Sequence, residues 1–360
     1  HPSATEYRTL ELTAESLKHN VPVQHELKLV RGLLDNLDGR EFDIVKAIAI
    51  DNQGLTYRFS NALSTLTDRH KKFPQLFAKK DWHSMSGPKQ RKATLDYLDS
   101  RYAIEPWNND KTVKVLPAAH ATKDAIVSSL CSGGFGTVAS LDPGWYGQGV
   151  YFTTSVRYAA KYSNENVKAI VIALTLPGNT LPVIEDPFGM SSRAGQAIRA
   201  GYQSHYVRVD NKGNPCQSDS NTSMDELVIG QDAQAMPKYV VYVRVNRERR
   251  KKLAMERRHR KKSMSIRKSG SIRKSGSVKK AKSVTKVPPR SPKTKIGEEE
   301  KEKEHSSDDD DELSDEDEFN ITNRSMWGTT GKGDQALTLV DQLRKQVQDL
   351  QDKLAKNGNP

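Results

Sequence analysis

The chain has 360 residues, and its 57 lysines and arginines exceed its 45 aspartates and glutamates, which gives a formal net charge of +12. That length allows about two domains of roughly 150 residues, but only 35% of the residues are hydrophobic, against about 45–50% in ordinary domains, so part of the chain is not expected to fold on itself. No apolar run approaches the roughly 20 residues that a membrane span needs, which excludes an integral membrane protein. The chain has only two cysteines, Cys131 and Cys216, which excludes a disulfide framework and a four-cysteine zinc site. So few cysteines also fit a reducing compartment.

The N-terminal part of the chain predicts mainly helices around one strand. Leucines recur at mixed spacings over residues 1–39 and predict an N-terminal segment of one or two helices. The apolar run FDIVKAIAIDN, residues 42–52, stops at Asn-Gln-Gly and predicts a buried strand. Residues 55–102 predict helices with a break near Ser86-Gly87-Pro88, where a turn is favoured.

Shorter elements follow beyond Trp107. A short strand that ends at a proline is predicted over Thr112–Pro117. Apolar residues at helical spacing predict a helix over Ala121–Ser132, and Gly133-Gly134 ends it. Residues 142–149 are rich in glycine and proline and predict a turn.

The rest of this region predicts a domain of short strands. The predicted elements are a strand at Val150–Thr153, a helix at Ser155–Tyr162, and strands at Lys168–Leu176, His205–Val209, Glu226–Ile229 and Tyr239–Val245. Short strands with a few helices are typical of the α+β class. We therefore expect one α+β domain over residues 40–246.

The tail carries most of the charge. Residues 247–295 hold 21 lysines and arginines with two glutamates, a net charge of +19, and residues 298–318 hold 14 acidic residues with two lysines, a net charge of −12. Because neither run has apolar periodicity, we expect a basic disordered segment at 247–296 and an acidic disordered segment at 297–335. The basic runs favour either nuclear targeting or a plain solvated linker, so a nuclear or cytoplasmic location is expected.

The last segment has the spacing of a coiled coil. Its apolar residues follow a 4-3-4-3-4 spacing at Ala336, Val340, Leu343, Val347, Leu350 and Leu354. Valine at a with leucine at d favours two parallel strands, although so few heptads are marginal alone. Residues 336–357 therefore predict a short coiled coil, either a weak homodimer or a pairing with another helix, and a single fraying helix is the alternative.

Four local features point to chemistry, although each alone is more often structural. They are His120 just before a helix, Gly147-x-Gly149 entering the strand of Tyr151, Tyr158 and Tyr162 on the next helix, and Asp225-Glu226 opening a later strand. The glycine turn precedes a strand and does not open a helix, so it is not a dinucleotide-binding fingerprint.

In this order, the features resemble the diphtheria-toxin-like ADP-ribosyltransferases, and specifically the catalytic domain of the poly(ADP-ribose) polymerases, whose His-Tyr-Glu triad is spread over separate strands. The matching segments are VLPAAHATKDAIVSSLCSGGFG, PGWYGQGVYFTTSVRYAAKYS and DELVIGQDAQAMPKYVVYV. The resemblance is strong across residues 112–245, weaker across 40–111, and does not extend into the tail. It implies the ADP-ribosyltransferase fold, NAD as the substrate, and protein acceptors.

The resemblance also implies a reaction. The bond between nicotinamide and the ribose of NAD breaks, and ADP-ribose passes to a protein acceptor through a transition state with positive charge on the ribose, as in glycoside hydrolysis. By the family match, Glu226 is the carboxylate that stabilises this charge, hydrogen-bonds a ribose hydroxyl and polarises the nucleophile. His120 and Tyr151 complete the catalytic set, and no metal is implied.

The NAD-binding residues follow from the same match. His120 would hydrogen-bond the ribose, Tyr162 would stack on the nicotinamide, and Tyr151 would close the other side of the pocket. Ala121 would offer its backbone N–H and C=O, and Gly149 would let the backbone approach the ligand.

Two residues depart from the family pattern. Ala121 stands where the family usually has a glycine after the histidine, and Ala159 stands where it usually has a serine that contacts the nicotinamide amide. Ala159 has no hydroxyl, so one substrate hydrogen bond is expected to be lost, at about 1–3 kcal/mol if its partner stays unsatisfied. These departures concern NAD affinity more than the role of Glu226.

Two other interpretations stay open. One is a catalytically weak module with an NAD- or ADP-ribose-binding fold, which Ala121 and Ala159 favour. The other places function in the basic tail, which would bind nucleic acid or other polyanions with a steep salt dependence and without aromatic residues to stack on bases. Both mono- and poly-ADP-ribosylation are compatible with the sequence.

Overall fold

The computed structural model describes residues 7–13, 21–136, 144–216, 224–256 and 259. Two β-sheets and the helices that flank them make up the described part, so the predicted α+β class is confirmed. No helix in these ranges is both long and apolar enough to cross a bilayer.

Nine strands and six α-helices lie within the described ranges as far as Val245. The strands are β1 (Arg8–Leu12), β2 (Phe42–Asp51), β3 (Leu116–Thr122), β4 (Val150–Phe152), β5 (Lys168–Thr175), β6 (Thr180–Pro182), β7 (Ser204–Val209), β8 (Met224–Ile229) and β9 (Ala235–Val245). The helices are α1 (Val21–Asn36), α2 (Gln53–Lys72), α3 (Pro74–Phe77), α4 (Pro88–Tyr102), α5 (Asp124–Gly133) and α6 (Val156–Ala159).

The larger sheet has the strand order β1-β2-β9-β5-β3, and all neighbours are antiparallel. Its inner strands β5 and β9 are rich in valine, isoleucine and alanine and are almost wholly buried. Such residues fit a pleated surface that is covered on both sides. Strand β3, which carries His120, lies at the edge of this sheet.

The smaller sheet has the order β4-β8-β7-β6, in which only β6 and β7 are parallel. Successive side chains of a strand point to opposite faces. In β8, Leu227 packs in an apolar cluster with Phe152, whereas Val228 packs in another cluster with Tyr158. Glu226 therefore lies on the Tyr158 side of the sheet and Asp225 on the opposite side.

A β-bridge joins the two sheets. Ala119 of β3 exchanges both backbone hydrogen bonds with Thr153, at 2.8 and 3.0 Å, just after β4. This bridge places the His120 strand beside the strand of Tyr151. Because β4 pairs on its other side with β8, His120, Tyr151 and Glu226 come from three adjoining strands.

Side-chain caps set the ends of several elements. The amide of Asn52 accepts the N–H of Leu55 at 3.0 Å and starts α2, and it also donates to the carbonyls of Cys131 and Ser132 at 2.9 Å each. One buried side chain thus caps α2 and attaches it to the end of α5.

Some predicted elements differ from the structure. The helix predicted over Ala121–Ser132 begins only at Asp124, because Ala121 and Thr122 belong to β3. The N-terminal segment predicted as helical contains strand β1, because Leu10 and Leu12 alternate and pair with Ala49 and Ala47 of β2. The strand predicted over Thr112–Pro117 is wrong in its position, since β3 begins at Leu116. The reason is Asn108, whose side chain takes both backbone groups of Val115, at 2.8 and 2.9 Å, in place of a strand partner.

The chain divides into a unit of residues 1–249 with 321–360 and a unit of residues 250–320. All elements named above belong to the first. A further helix spans residues 247–256, so the prediction that the basic segment is disordered from residue 247 is wrong for this stretch. Asn246 explains its start, because its Oδ1 accepts the N–H of Arg249 at 3.0 Å. The rest of the basic segment, the acidic segment and the coiled coil lie outside the described residues.

Candidate active site

The central contact of the site is between Glu226 and two tyrosines. Glu226 is 2% exposed, and its Oε1 accepts a hydrogen bond of 2.6 Å from the hydroxyl of Tyr158. The hydroxyl of Tyr162 donates to the Tyr158 oxygen at 2.9 Å and lies 3.4 Å from the same carboxylate oxygen. One carboxylate and two phenols thus form one hydrogen-bonded group, which includes the predicted site residues Tyr162 and Glu226.

The local structure of α6 explains why the tyrosines lie together. Ser155 caps the helix, because its Oγ accepts the N–H of Tyr158 at 3.2 Å. A 3-10 turn at Ala160–Tyr162 continues the helix, so positions 158 and 162 lie one turn apart on the same side. The two rings meet edge to face, with centroids 5.5 Å apart.

Burial decides the protonation state of Tyr158. Removal from water raises the pKa of its phenol far above the ordinary value, and the nearby charge of Glu226 raises it further. The phenol is therefore a neutral donor to the carboxylate. A carboxylate held in one orientation by such a donor suits a group that stabilises positive charge in a transition state.

His120 is held near the end of β3 as a neutral ring. Its Nδ1 lies 2.8 Å from the backbone oxygen of Tyr151, and because a carbonyl oxygen can only accept, Nδ1 carries the proton. Burial lowers the pKa of the imidazole, which leaves Nε2 as an acceptor. The ring packs against Phe135 and Phe152, with centroids 5.4 and 5.8 Å away.

Tyr151 contributes its ring to the site and its hydroxyl to the adjoining turn. It pairs with Val228, two residues beyond Glu226 in β8, and its ring packs in the apolar cluster that Tyr158 and Tyr162 join. Its hydroxyl donates to the oxygen of Gly147 at 2.7 Å and accepts the N–H of Tyr146 at 2.9 Å. The single phenol proton is therefore already used within the turn.

Close packing within the fold explains why glycines stand in this turn. A Cβ on Gly149 would lie 2.5 Å from the backbone oxygen of Ile229 and 2.7 Å from Cγ1 of Val228. Gly147 has a φ of 120°, and a Cβ there would lie 2.7 Å from Nδ1 of His205. The close approach that Gly149 permits is to strand β8, whereas the family resemblance implies an approach to the ligand.

Ala121 presents its backbone at the edge of β3. Since Ala119 directs its backbone groups to Thr153, and residues two apart in a strand direct theirs to the same side, the N–H and C=O of Ala121 point away from β5. The side chains of Ala121 and Ala159 belong to one apolar cluster. The peptide groups of Ala121 therefore face outward from the edge of the larger sheet.

The structure places the predicted site residues in two separate groups. Tyr162 and Glu226 share one hydrogen-bonded group, and His120 is joined to Tyr151 through a backbone carbonyl. Phe152, which His120 contacts, packs on the opposite face of the smaller sheet from the Tyr151 ring. His120 is therefore connected to the Glu226 face of the smaller sheet through the backbone of Tyr151, whose ring lies on that face.

Two residues at the site have no role in the sequence-based hypothesis. Tyr158 is noted there only as a helical residue, although its spacing of four from Tyr162 is the signal that places both on one face. Gly213 has a φ of 85°, and a Cβ there would lie 2.9 Å from the Tyr158 hydroxyl and 3.8 Å from Oε1 of Glu226. No local pattern marks this turn between β7 and β8 as part of the site.

The geometry of the site is the main support for a function, because neither known proteins nor a metal centre indicates one. In the described ranges, no group of three or more histidine, cysteine or acidic side chains is placed to hold a metal ion. A scan against protein-family models finds no match for the chain, and no curated protein matches it.

Proposed function

We propose that residues 40–246 form an NAD-dependent ADP-ribosyltransferase with the diphtheria-toxin-like fold. The observation that carries the proposal is the buried carboxylate of Glu226, which Tyr158 holds at 2.6 Å with Tyr162 beside it. A fixed carboxylate next to aromatic rings suits a reaction in which a cation forms beside a planar heterocycle. The chain order of His120, Tyr151, Tyr162 and Glu226 supports the same assignment through the family resemblance.

In the proposed reaction, the bond between C1′ of the ribose and N1 of nicotinamide breaks, and its electron pair leaves with neutral nicotinamide. C1′ becomes oxocarbenium-like, and the carboxylate of Glu226 stabilises the positive charge. The acceptor atom forms the new bond to C1′, and its proton passes to Glu226. The acceptor is a protein side chain in mono-transfer and a ribose hydroxyl during chain growth, and both stay open.

The other residues bind and orient NAD in this proposal. The half-buried ring of Tyr162 stacks on the nicotinamide, and the ring of Tyr151 closes the pocket. The neutral His120 offers Nε2 as an acceptor for a ribose hydroxyl. The outward N–H and C=O of Ala121 bind the nicotinamide amide.

One substitution tests the proposal. Wild-type and Glu226→Gln full chains are incubated with NAD labelled in its adenosine part, and nicotinamide release and label transfer are both measured. Glutamine keeps the size of the side chain but removes the charge, so we expect both rates to fall by roughly 100-fold or more. Glu165→Gln, at an exposed carboxylate, is the matched control and should keep the wild-type rates. Equal transfer by Glu226→Gln and wild type would remove Glu226 from the mechanism.

One observation favours a second candidate, a module that binds NAD or ADP-ribose with little turnover. Ala159 is 3% exposed within an apolar cluster, where the family resemblance places a hydroxyl for the nicotinamide amide. Calorimetry with NAD, run beside the release assay, separates the candidates. Binding without release supports the module, binding with release supports the transferase, and no binding contradicts both.

For both candidates, the proposed partner of the basic tail is nucleic acid or another polyanion.

A further inference from the structure

A second carboxylate lies directly beside Glu226 but faces the other way. Asp225 is 0% exposed, and along β8 it shares a face with Leu227 and not with Glu226. Neither the proposed reaction nor the family resemblance gives it a role. A fully buried carboxylate is costly unless hydrogen bonds compensate for its lost hydration, so its contacts indicate what it does.

Both oxygens of Asp225 accept two hydrogen bonds. Oδ1 accepts the hydroxyl of Thr153 at 3.0 Å and the backbone N–H of Thr154 at 2.6 Å. Oδ2 accepts the hydroxyl of Tyr206 at 2.7 Å and also the hydroxyl of Thr154. Four donors match the four lone-pair sites of an ionised carboxylate. The site is therefore built for a negative charge.

Three of these four donors come from one corner of the chain, Thr153-Thr154, between β4 and α6. The same corner builds the cap of α6. The N–H of Ser155 donates to Oγ1 of Thr153 at 3.0 Å, and the N–H of Tyr158 donates to Oγ of Ser155 at 3.2 Å. A continuous series of hydrogen bonds thus runs from Asp225 through the corner to the backbone of Tyr158.

A cation reinforces the corner from outside. The guanidinium of Arg101, at the end of α4, donates to the backbone oxygen of Thr154 at 3.2 Å and to that of Asn36 at 2.5 Å. The N–H of Thr154 is held by Asp225 and its oxygen by Arg101, so the peptide groups of this residue are fixed on both sides. These hydrogen bonds attach the start of α6 to β8 and to α4.

We infer that Asp225 is a positioning residue, which clamps the corner before α6 and thereby sets the Tyr158 hydroxyl against Glu226. Neighbouring residues of one strand hold the two ends of this arrangement: Glu226 accepts the phenol on one face, and Asp225 fixes the start of the phenol's helix on the other. The catalytic consequence rests on the proposed function, whereas the positioning itself does not.

The experiment uses the full chain labelled with 3-fluorotyrosine. The 19F resonance of Tyr158, among the 12 tyrosines, is assigned by its loss in Tyr158→Phe. Asp225→Asn keeps the shape and one oxygen but removes the charge and two acceptor sites. We expect it to shift the Tyr158 resonance and to lower nicotinamide release roughly 10- to 100-fold, with the KM for NAD changed by no more than about twofold.

Two further variants separate positioning from general core damage. Thr154→Val removes one corner donor, keeps the backbone N–H, and should shift the Tyr158 resonance in the same direction. Tyr206→Phe removes a donor that lies outside the corner and should leave that resonance in place. If Asp225→Asn does not fold, the Tyr158 resonance of Thr154→Val tests the inference by itself.

The outcomes are distinct. An unshifted Tyr158 resonance in Asp225→Asn and Thr154→Val overturns the inference, as does an equal shift in Tyr206→Phe. A wild-type chain that releases no nicotinamide contradicts the proposed function, and the resonance shifts then test the positioning without it.

Discussion

The hydroxyl of Tyr158 donates a hydrogen bond of 2.6 Å to Oε1 of Glu226 across 68 positions of sequence. Both side chains are 2% exposed. A buried carboxylate needs donors, and this phenol, held neutral by burial, supplies one from a helix whose start the neighbouring Asp225 fixes. The contact links the packing of the domain to its proposed chemistry.

Removal of the Tyr158 hydroxyl should impair the site more than the fold. In Tyr158→Phe, the ring still packs but the carboxylate loses a donor, so we expect a loss of about 1–3 kcal/mol in the free energy of unfolding and a fall in nicotinamide release of roughly tenfold or more. Urea unfolding and the release assay measure the two effects. Tyr202→Phe, whose hydroxyl bonds to Asp81, is the matched control. Wild-type release by Tyr158→Phe would mean that the phenol is only structural.

The stability of the domain should fall in acid because of His205. This buried ring lies 2.6 Å from the oxygen of Tyr146 through Nδ1 and accepts the N–H of Arg199 at 3.1 Å through Nε2. Burial lowers its pKa to about 4, below the value of about 6.5 in an unfolded chain. As the pH falls, the unfolded chain takes up the proton first, so stability that is complete above about pH 6.5 is lost towards pH 4, by up to about 3 kcal/mol.

Urea unfolding at pH 7 and at about pH 4.5 checks the acid effect. His205→Gln keeps one donor and one acceptor without a titrating group, so its unfolding free energy should depend less on pH over that range than that of the wild type. His120, whose pKa burial also lowers, contributes in the same direction and remains in the variant. An identical pH dependence in His205→Gln and wild type would show that His205 does not carry the effect.

Lys238 should make the domain more stable in mild alkali. It is 3% exposed, and its Nζ has no hydrogen-bond partner in the described part of the chain. Burial lowers its pKa to about 8, although Glu26 and Asp51 act in the opposite direction. Because the unfolded pKa is about 10.4, the unfolded chain binds more protons between the two values, and stability rises with pH from about 8 towards 10.4, by up to about 3 kcal/mol.

Lys238→Met tests this directly, since it keeps the length of the side chain and removes the amine. We expect a higher unfolding free energy than wild type at pH 7 and a smaller rise between pH 7 and about 9.5. Lys92→Met, at an exposed lysine that pairs with Asp96, should change stability little. A less stable Lys238→Met at pH 7 would mean that the buried ammonium is compensated by its surroundings.

Local patterns were sufficient for much of this fold. The apolar runs at β2, β5 and β9 predict strands because a strand buried on both faces must be apolar throughout. The helix before Gly133-Gly134 and the short helix of Tyr158 and Tyr162 follow from spacing and glycine stops. The misplaced strand at Thr112–Pro117 shows the limit, because the side chain of Asn108, just before this run, takes the backbone groups of Val115.

Residue order and type alone determined that Glu226 lies in a strand, that two tyrosines share a helical face, and that the charge of the chain lies mostly in its tail. Only the tertiary structure decided that Tyr158 bonds to Glu226, that the hydroxyl of Tyr151 turns back to Gly147, and that Asp225 faces away from its neighbour to hold the next helix. The physical reason is that hydrogen-bond partners of buried groups are chosen by the packing of sheets against helices, which joins residues far apart in the chain. Periodicity reports which face is apolar, but it carries no information about which donor lies opposite.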